Sequence, residues 1–219
     1  MATSFGELKT DTFRLVEVSE TSPVHWTEAD IEGAVNDGVQ ELSDGGEFYE
    51  TFATIKLKAS TPYYDLRSIL PQSYLRISAI WNSTTSTWLT AKTARELDER
   101  TTRTWETATG DSQYYIVRGL WWLGIFPTTT STNKVLRVYY KALHPTLVHD
   151  SEEVKQLPDE YADAITSYAA YTLWADDGEL KKALNYWNGY NEQEQKLKLH
   201  ANSRTSHARV GRLGGYRTK

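Results

Sequence analysis

The chain has 219 residues and no cysteine, and its 24 Lys and Arg against 29 Asp and Glu give a formal net charge of −5. This length suits one domain, or one domain with an inserted lobe. The lack of cysteine excludes disulfides, thiol redox chemistry and cysteine-bound metals. No apolar run approaches the roughly 18 residues of a membrane span, and residues 1–13 lack the charge order of a signal peptide. The sequence therefore predicts no membrane association.

Charge is distributed unevenly along the chain. Residues 201–219 contain five cations and no acid, namely Arg204, Arg209, Arg212, Arg217 and Lys219. The other 200 residues contain 19 cations and 29 acids, a net charge of −10. Because the basic segment has too few apolar residues to fold alone, we expect an extended C-terminal arm over residues 201–219, after a single domain over residues 1–200.

The first predicted element is a helix over about residues 27–43, after a polar leader. Thr27 and Asp30 have the spacing of a capping box, and Val35 and Val39 belong to an apolar stripe at helical spacing. This helix is the N-terminal member of the predicted bundle.

A β-rich insertion over about residues 47–142 follows. Alternating or apolar runs predict strands, with a hairpin turn at 83–86. The predicted strands cover residues 48–58, 62–66, 74–82, 88–89, 114–117, 120–125 and 135–140. Residues 93–100 predict a short polar helix within the same segment.

Helical spacing returns after residue 157 and predicts two further helices, over about residues 158–175 and 179–199. We expect one shared core from Val35, Val39, Ile165, Tyr168, Leu184 and Trp187. The element order predicts an α+β fold. Its parts are a small helical bundle (the N-terminal helix plus a C-terminal helix hairpin), an inserted β lobe and the extended C-terminal arm.

Signals for catalysis are weak. The five histidines lack metal-ligand spacing, and no phosphate-binding loop or nucleophile elbow occurs. Carboxylate pairs leave glycoside hydrolysis open, but they lie in stretches typical of solvated loops and helix ends. These pairs are Asp98/Glu99, Glu152/Glu153 and Asp176/Asp177. The sequence predicts no enzyme, no cofactor and no metal site.

The tryptophans of the β-rich segment are a second candidate site. Trp81, Trp88, Trp105, Trp121 and Trp122 could form a stacking platform for sugars or bases. The net charge of −10 disfavours a phosphate-binding groove, and Trp and Tyr are enriched at protein interfaces. We therefore expect core or protein-interface packing of these rings. A carbohydrate-binding module is the less favoured alternative.

Six stretches of the chain occur in an order that carries a family resemblance. They are WTEADIEGAVNDGVQEL, YYDLRS, YLRISAIWN, ARELDERTTRTWETATGDSQYYIVRG, LRVYYKALHPTL and LPDEYADAITSYAAYTLW. With the helix that follows them they span about residues 26–198. As an ordered set they resemble head-to-tail adaptor (connector) proteins of tailed bacteriophages.

The resemblance implies a structural protein of the virion neck, assembled in the host cytoplasm and lacking an active site. It implies a ring of copies, usually a dodecamer, beneath the portal protein, with the tail or a tail-terminator protein below. Packaged DNA would pass through on ejection without sequence-specific binding. The C-terminal arm would reach the portal, a neighbouring subunit or the DNA. Its expected contact residues are Arg204, Arg209, Arg212, Tyr216, Arg217 and Lys219. The resemblance also implies inter-subunit or tail-side contacts for Trp105, Trp121 and Trp122. Another neck or tail-tube component is the alternative.

Overall fold

The structure is a computed structural model that describes residues 3–16, 26–71, 73–101, 105–132 and 134–213, with the backbone only for residues 100, 101, 202 and 204–213. Its helices and two sheets confirm the predicted α+β class. The chain divides into two compact units. The helical unit combines Met1–Tyr49 with Leu143–Lys219, and the β unit is Glu50–Ala142.

The helical unit contains four of the described helices and one short 3-10 turn. The helices are α1 (Phe5–Val16), α2 (Glu28–Gly46), α4 (Ala162–Asp176) and α5 (Leu180–Leu213), and the turn at Asp159–Tyr161 leads into α4. The capping box predicted for α2 is present. The Thr27 hydroxyl accepts a hydrogen bond from the Asp30 N–H at 3.3 Å, and the Asp30 carboxylate accepts one from the Thr27 N–H at 2.8 Å.

Helix α1 replaces part of the polar leader expected from the sequence. It has a capping box of its own, because the Ser4 N–H donates to the Glu7 carboxylate at 2.9 Å and the Glu7 N–H donates to the Ser4 hydroxyl at 3.3 Å. Phe5 and Leu8 are buried. Lys9 fastens the helix through Glu32 and Asp150, each 2.7 Å from its ammonium nitrogen. The signal missed in the sequence was this Ser4–Glu7 spacing.

The core of the helical unit lies between α1, α2, α4 and α5. Val35, Val39 and Ile165 are fully buried in it, and Tyr168 and Trp187 pack at its edge. Gly38 brings α2 close to α4, since an added Cβ would lie 2.8 Å from the Ile165 carbonyl oxygen. A side chain at residue 38 would therefore force these two helices apart.

The predicted place of Leu184 in this core is wrong, because its side chain is 57% exposed. The buried positions of α5 recur every seven residues, at Ala183, Tyr190 and Leu197. We call these three residues the α5 seam. Leu184 lies one residue past the seam, which turns its position by about 100° around the helix axis.

The β unit contains two four-stranded sheets and α3 (Ala94–Thr101). The strands are β1 (Glu50–Lys56), β2 (Tyr63–Asp65), β3 (Tyr74–Asn82), β4 (Thr87–Trp88), β5 (Thr90–Ala91), β6 (Tyr114–Arg118), β7 (Trp122–Phe126) and β8 (Val135–Ala142). The first sheet has the order β1-β8-β3-β4 and is antiparallel. The second has the order β2-β7-β6-β5, and only β5 and β6 run parallel.

Alternation places one face of the first sheet in the core of the β unit. Leu136, Val138 and Tyr140 of β8 are buried, whereas Arg137 between them is exposed. On the second sheet, Leu123, Ile125 and Phe126 of β7 are buried. The opposite face of the first sheet is thus left facing outward, and it carries aromatic side chains.

Candidate docking surfaces

Helix α5 is packed along its first five turns, as far as Leu197. Leu197 is 3% exposed and lies against Gly46 at the end of α2. His200 meets the start of α4, where its Nδ1 lies 3.0 Å from the Tyr161 hydroxyl and 3.4 Å from the Glu160 carboxylate. The next seam positions in the sequence are Arg204 and Gly211. Apolar packing of this seam therefore ends at Leu197.

The basic C-terminal segment begins as helix, which corrects the prediction of an arm extended from residue 201. The backbone of α5 is helical to Leu213. A segment too polar to fold alone still extends a helix that tertiary packing has already nucleated, because propagation costs far less than nucleation. The side chains of Arg204, Arg209 and Arg212 lie outside the described part of the structure, as do Tyr216, Arg217 and Lys219 entirely.

Trp105 lies in the interior of the β unit rather than on a surface. It is 5% exposed, and its ring meets Phe126 edge-on at 4.5 Å between centroids. Its indole N–H donates to the Asp98 carboxylate of α3 at 2.7 Å. The surface contact expected for Trp105 is thus replaced by core packing, because the indole finds both an apolar neighbour and a hydrogen-bond acceptor inside the unit.

Trp121 and Trp122 differ in exposure although they are adjacent. Trp121 is partly buried, with its ring 6.3 Å from that of Tyr74, whereas Trp122 at the start of β7 is 47% exposed. Trp122 therefore remains available to a partner. A carbohydrate-binding module needs exposed aromatic rings, and the exposure of Trp122 is compatible with this alternative.

A group of exposed and partly exposed aromatic side chains lies on the outer face of the first sheet. Phe52 is 52% exposed and Trp88 is 45% exposed. The ring of Tyr139 lies 5.8 Å from Phe52 and 5.6 Å from Trp88, and Trp81 lies 4.9 Å from Trp88. We call Phe52, Trp81, Trp88 and Tyr139 the aromatic strip. The sequence pattern points to the two tryptophans of this strip but not to Phe52 or Tyr139, which join them only through strand pairing.

The sheet face around the aromatic strip is basic. Cross-strand partners share one face of a sheet, and the registers Glu50↔Lys141, Phe52↔Tyr139, Thr54↔Arg137 and Trp81↔Arg137 define this one. Four cations lie on it against one acid, Glu50, for a net charge of +3. The cations are Lys56, Arg76, Arg137 and Lys141. The Arg137 guanidinium lies over the Phe52 ring, 5.6 Å from its centroid.

Three of the carboxylates considered for catalysis, Asp98, Glu99 and Glu152, have structural partners. Asp98 accepts the Trp105 indole hydrogen bond, and Glu99 forms an ion pair with Arg95 at 3.0 Å. Glu152 accepts the N–H groups of Val148 and His149, at 2.6 and 3.1 Å, and these bonds hold the pKa of Glu152 below its ordinary value. These carboxylates thus brace α3 and the loop before the Asp159–Tyr161 turn.

The described residues contain neither a metal-binding cluster nor a membrane-spanning helix. No three His, Asp or Glu side chains there are grouped to hold a metal ion. No helix in that part of the chain is both long and apolar enough to span a membrane.

Comparison with known proteins gives one family. A family model described as SU10 adaptor protein matches residues 3–212, nearly the whole chain, and the chain belongs to this family. The resemblance to phage head-to-tail adaptors found in the sequence is thereby confirmed. No curated protein matches the chain. Membership of a structural adaptor family supports an adaptor role in a phage particle rather than catalysis.

Proposed function

We propose that this member of the SU10 adaptor family forms a ring, a dodecamer, beneath the portal and joins the DNA-filled head to the tail. The family match supports the adaptor role. The net charge of −10 over residues 1–200 supports a DNA channel lined by this chain. Acidic walls repel the phosphate backbone and displace no counterions from the DNA. The DNA therefore passes without binding.

The contact with the portal is assigned to the C-terminal end of α5. The observation that carries this assignment is that the backbone of α5 remains helical to Leu213, while the sequence places Arg204 and Gly211, not apolar residues, at the seam positions after Leu197. Residues 201–219 add five cations and no acid to that end. A helix end with these properties suits an acidic groove on the portal or on the adjacent subunit, with Tyr216 as an anchor.

The affinity of this contact comes from many copies. An exposed ion pair contributes only about 0–1 kcal/mol. A ring engages all its C-terminal segments at once, so each weak contact is made at high effective concentration. Trp121 and Trp122 remain proposed tail-side or inter-subunit contacts, with Trp122 the more exposed of the two.

Charge removal in α5 tests the portal contact. The variant Arg204→Gln, Arg209→Gln, Arg212→Gln keeps helix-forming residues but removes three charges. The matched control Lys181→Gln, Lys196→Gln, Lys198→Gln removes three charges from the packed part of the same helix. Co-sedimentation with portal rings, at low and at moderate salt, should show binding lost in the first variant and kept in the control.

The same sedimentation experiment reports the number of copies bound per portal. Multiple copies on one portal support the ring, even when the free protein is a monomer, because the portal can template assembly. A single bound copy contradicts the ring. Unchanged portal binding by the Arg variant, together with failure of particles to retain DNA, would show that the basic segment contacts the genome instead.

A further inference from the structure

The aromatic strip and its basic surroundings are exposed on the outer face of the first sheet. Phe52 and Trp88 are about half exposed, and Arg137 and Lys56 are exposed beside them. Aromatic side chains with arginine at their rim are the composition of a protein interface core. The face has a net charge of +3 in a chain whose first 200 residues total −10. Its partner should therefore be acidic.

Helix α2 presents such an acidic surface. Its residues, Glu28–Gly46, include six acids and no Lys, Arg or His. Asp37, Glu41 and Asp44 are exposed on α2, spaced at helical intervals. Among the described residues, none of these three carboxylates forms an ion pair. We call them the α2 acidic stripe.

We propose that the aromatic strip of one copy docks on the α2 acidic stripe of the next copy around the ring. This inference rests on the proposed ring and specifies which two surfaces close it. In this contact the aromatic rings supply the apolar contact area, and Arg137 and Lys56 pair with carboxylates of the α2 acidic stripe. Because the two surfaces differ, the contact is heterologous, and a repeated heterologous contact generates a ring when its rotation closes.

Two copies of the basic face do not suit one another. A symmetric pairing of this face would bring two surfaces of +3 together, and juxtaposed like charges disfavour association. The acidic stripe has the opposite charge and is exposed on every copy. Charge complementarity therefore selects a second copy, placed head to tail, as the occupant.

The geometry of the rings favours a protein partner over DNA. Base stacking needs open, parallel ring faces. The rings of the strip instead meet one another at 44°, 49° and 63°, and Arg137 covers one face of Phe52. Such a continuous, tilted surface packs against side chains better than against bases.

Cross-linking between single-cysteine variants tests the contact, because the natural chain has no cysteine. Thr54→Cys places a thiol on the basic sheet face, and Gly33→Cys places one on exposed α2, where an added Cβ meets nothing within 4 Å. Asn185→Cys, on an exposed position of α5, is the matched control. Two variants are mixed on portal rings and treated with a short bis-maleimide. The expected product joins Thr54→Cys to Gly33→Cys, and neither to Asn185→Cys.

Charge reversal provides a second readout in the full-length chain. Arg137→Glu should weaken ring occupancy on portals on the order of tenfold, and adding Glu41→Lys to the same chain should restore part of it. Lys181→Glu makes the same change in net charge on an exposed position of α5, and should leave occupancy unchanged. Arg137, Glu41 and Lys181 are all exposed, so we expect each of these variants to fold.

The outcomes separate this inference from the proposed ring. Rings of normal occupancy in Arg137→Glu, without the Thr54–Gly33 product, would overturn the assigned surfaces while the ring stands. If Arg137→Glu keeps its rings but loses tail attachment or DNA binding, the aromatic strip contacts the tail or the DNA, and this result would also overturn the inference. If the natural chain forms no ring on portals, the proposed function itself fails.

Discussion

His144 is buried inside the helical unit and takes part in two hydrogen bonds. Its side chain is 2% exposed, its Nδ1 lies 2.8 Å from the Pro145 carbonyl oxygen, and its Nε2 accepts the Lys155 N–H at 3.0 Å. A ring protonated on Nδ1 alone satisfies both bonds. Burial, the largest cause, and then the nearby Lys155 charge lower the pKa of His144 from its ordinary 6.5, against a smaller opposing effect of the Pro145 bond and of Glu152.

The lowered pKa predicts a loss of stability in acid. The unfolded chain takes up the proton of His144 at higher pH than the folded chain, so the free energy of unfolding falls as pH falls below about 6.5. Urea titrations above and below this pH measure the change. His144→Phe should lower stability at neutral pH by about 1–3 kcal/mol, since Lys155 N–H loses its acceptor, and should flatten the pH dependence. The exposed His149→Gln serves as the control, and equal slopes in the two variants would contradict the assignment.

At the scale of the element, the seam of α5 decides which of its apolar side chains stabilise the fold. Trp187 is partly buried, and its ring lies 4.9 Å from that of Tyr171 and 5.5 Å from that of Tyr190. Leu184 is 57% exposed. Both are apolar and three residues apart, so only their position relative to the seam separates them.

This difference predicts unequal costs of truncation. Trp187→Ala should lower the free energy of unfolding by about 2–3 kcal/mol, less than the roughly 3–5 kcal/mol of a fully buried Trp. Leu184→Ala should change it by no more than about 0.5 kcal/mol. Urea denaturation of both variants measures this. A larger loss for Leu184→Ala than for Trp187→Ala would place the packed face of α5 elsewhere.

At the scale of the whole molecule, the chain enters and leaves the β unit through two neighbouring strands. Glu50 at the start of β1 pairs with Lys141 near the end of β8, so the two ends of the insertion lie about 5 Å apart. Every residue of the core cluster around Val35 and Ile165 belongs to the helical unit. The helical unit thus has a core of its own.

A chain in which a short glycine linker replaces residues 51–141 should therefore fold. We expect a cooperative thermal transition and a mainly helical circular dichroism spectrum, because the core cluster is retained. Such a chain should still bind portal rings through α5. A non-cooperative transition would show that the β unit is required for the helical fold.

Local patterns in the sequence determined much of the fold. The Thr27–Asp30 box and the apolar stripe through Val35 predicted α2, and the run at 74–82 predicted β3 with the bounds observed. Caps, turns and periodicity depend on residues close in sequence, so they can be read without tertiary information. The Ser4–Glu7 box of α1 has the same local character.

Only the tertiary structure decided which surfaces the chain presents. Strand pairing joins Phe52 and Tyr139 to Trp81 and Trp88 across distant parts of the sequence, and the packing of α5 sets Leu184 outside the core. Trp105 is buried for the same reason, since Asp98 and Phe126 surround it only after folding. The ordered set of six sequence stretches resembles the adaptor family. The positions of the aromatic strip and of the α2 acidic stripe came from nonlocal contacts, which a linear pattern does not encode.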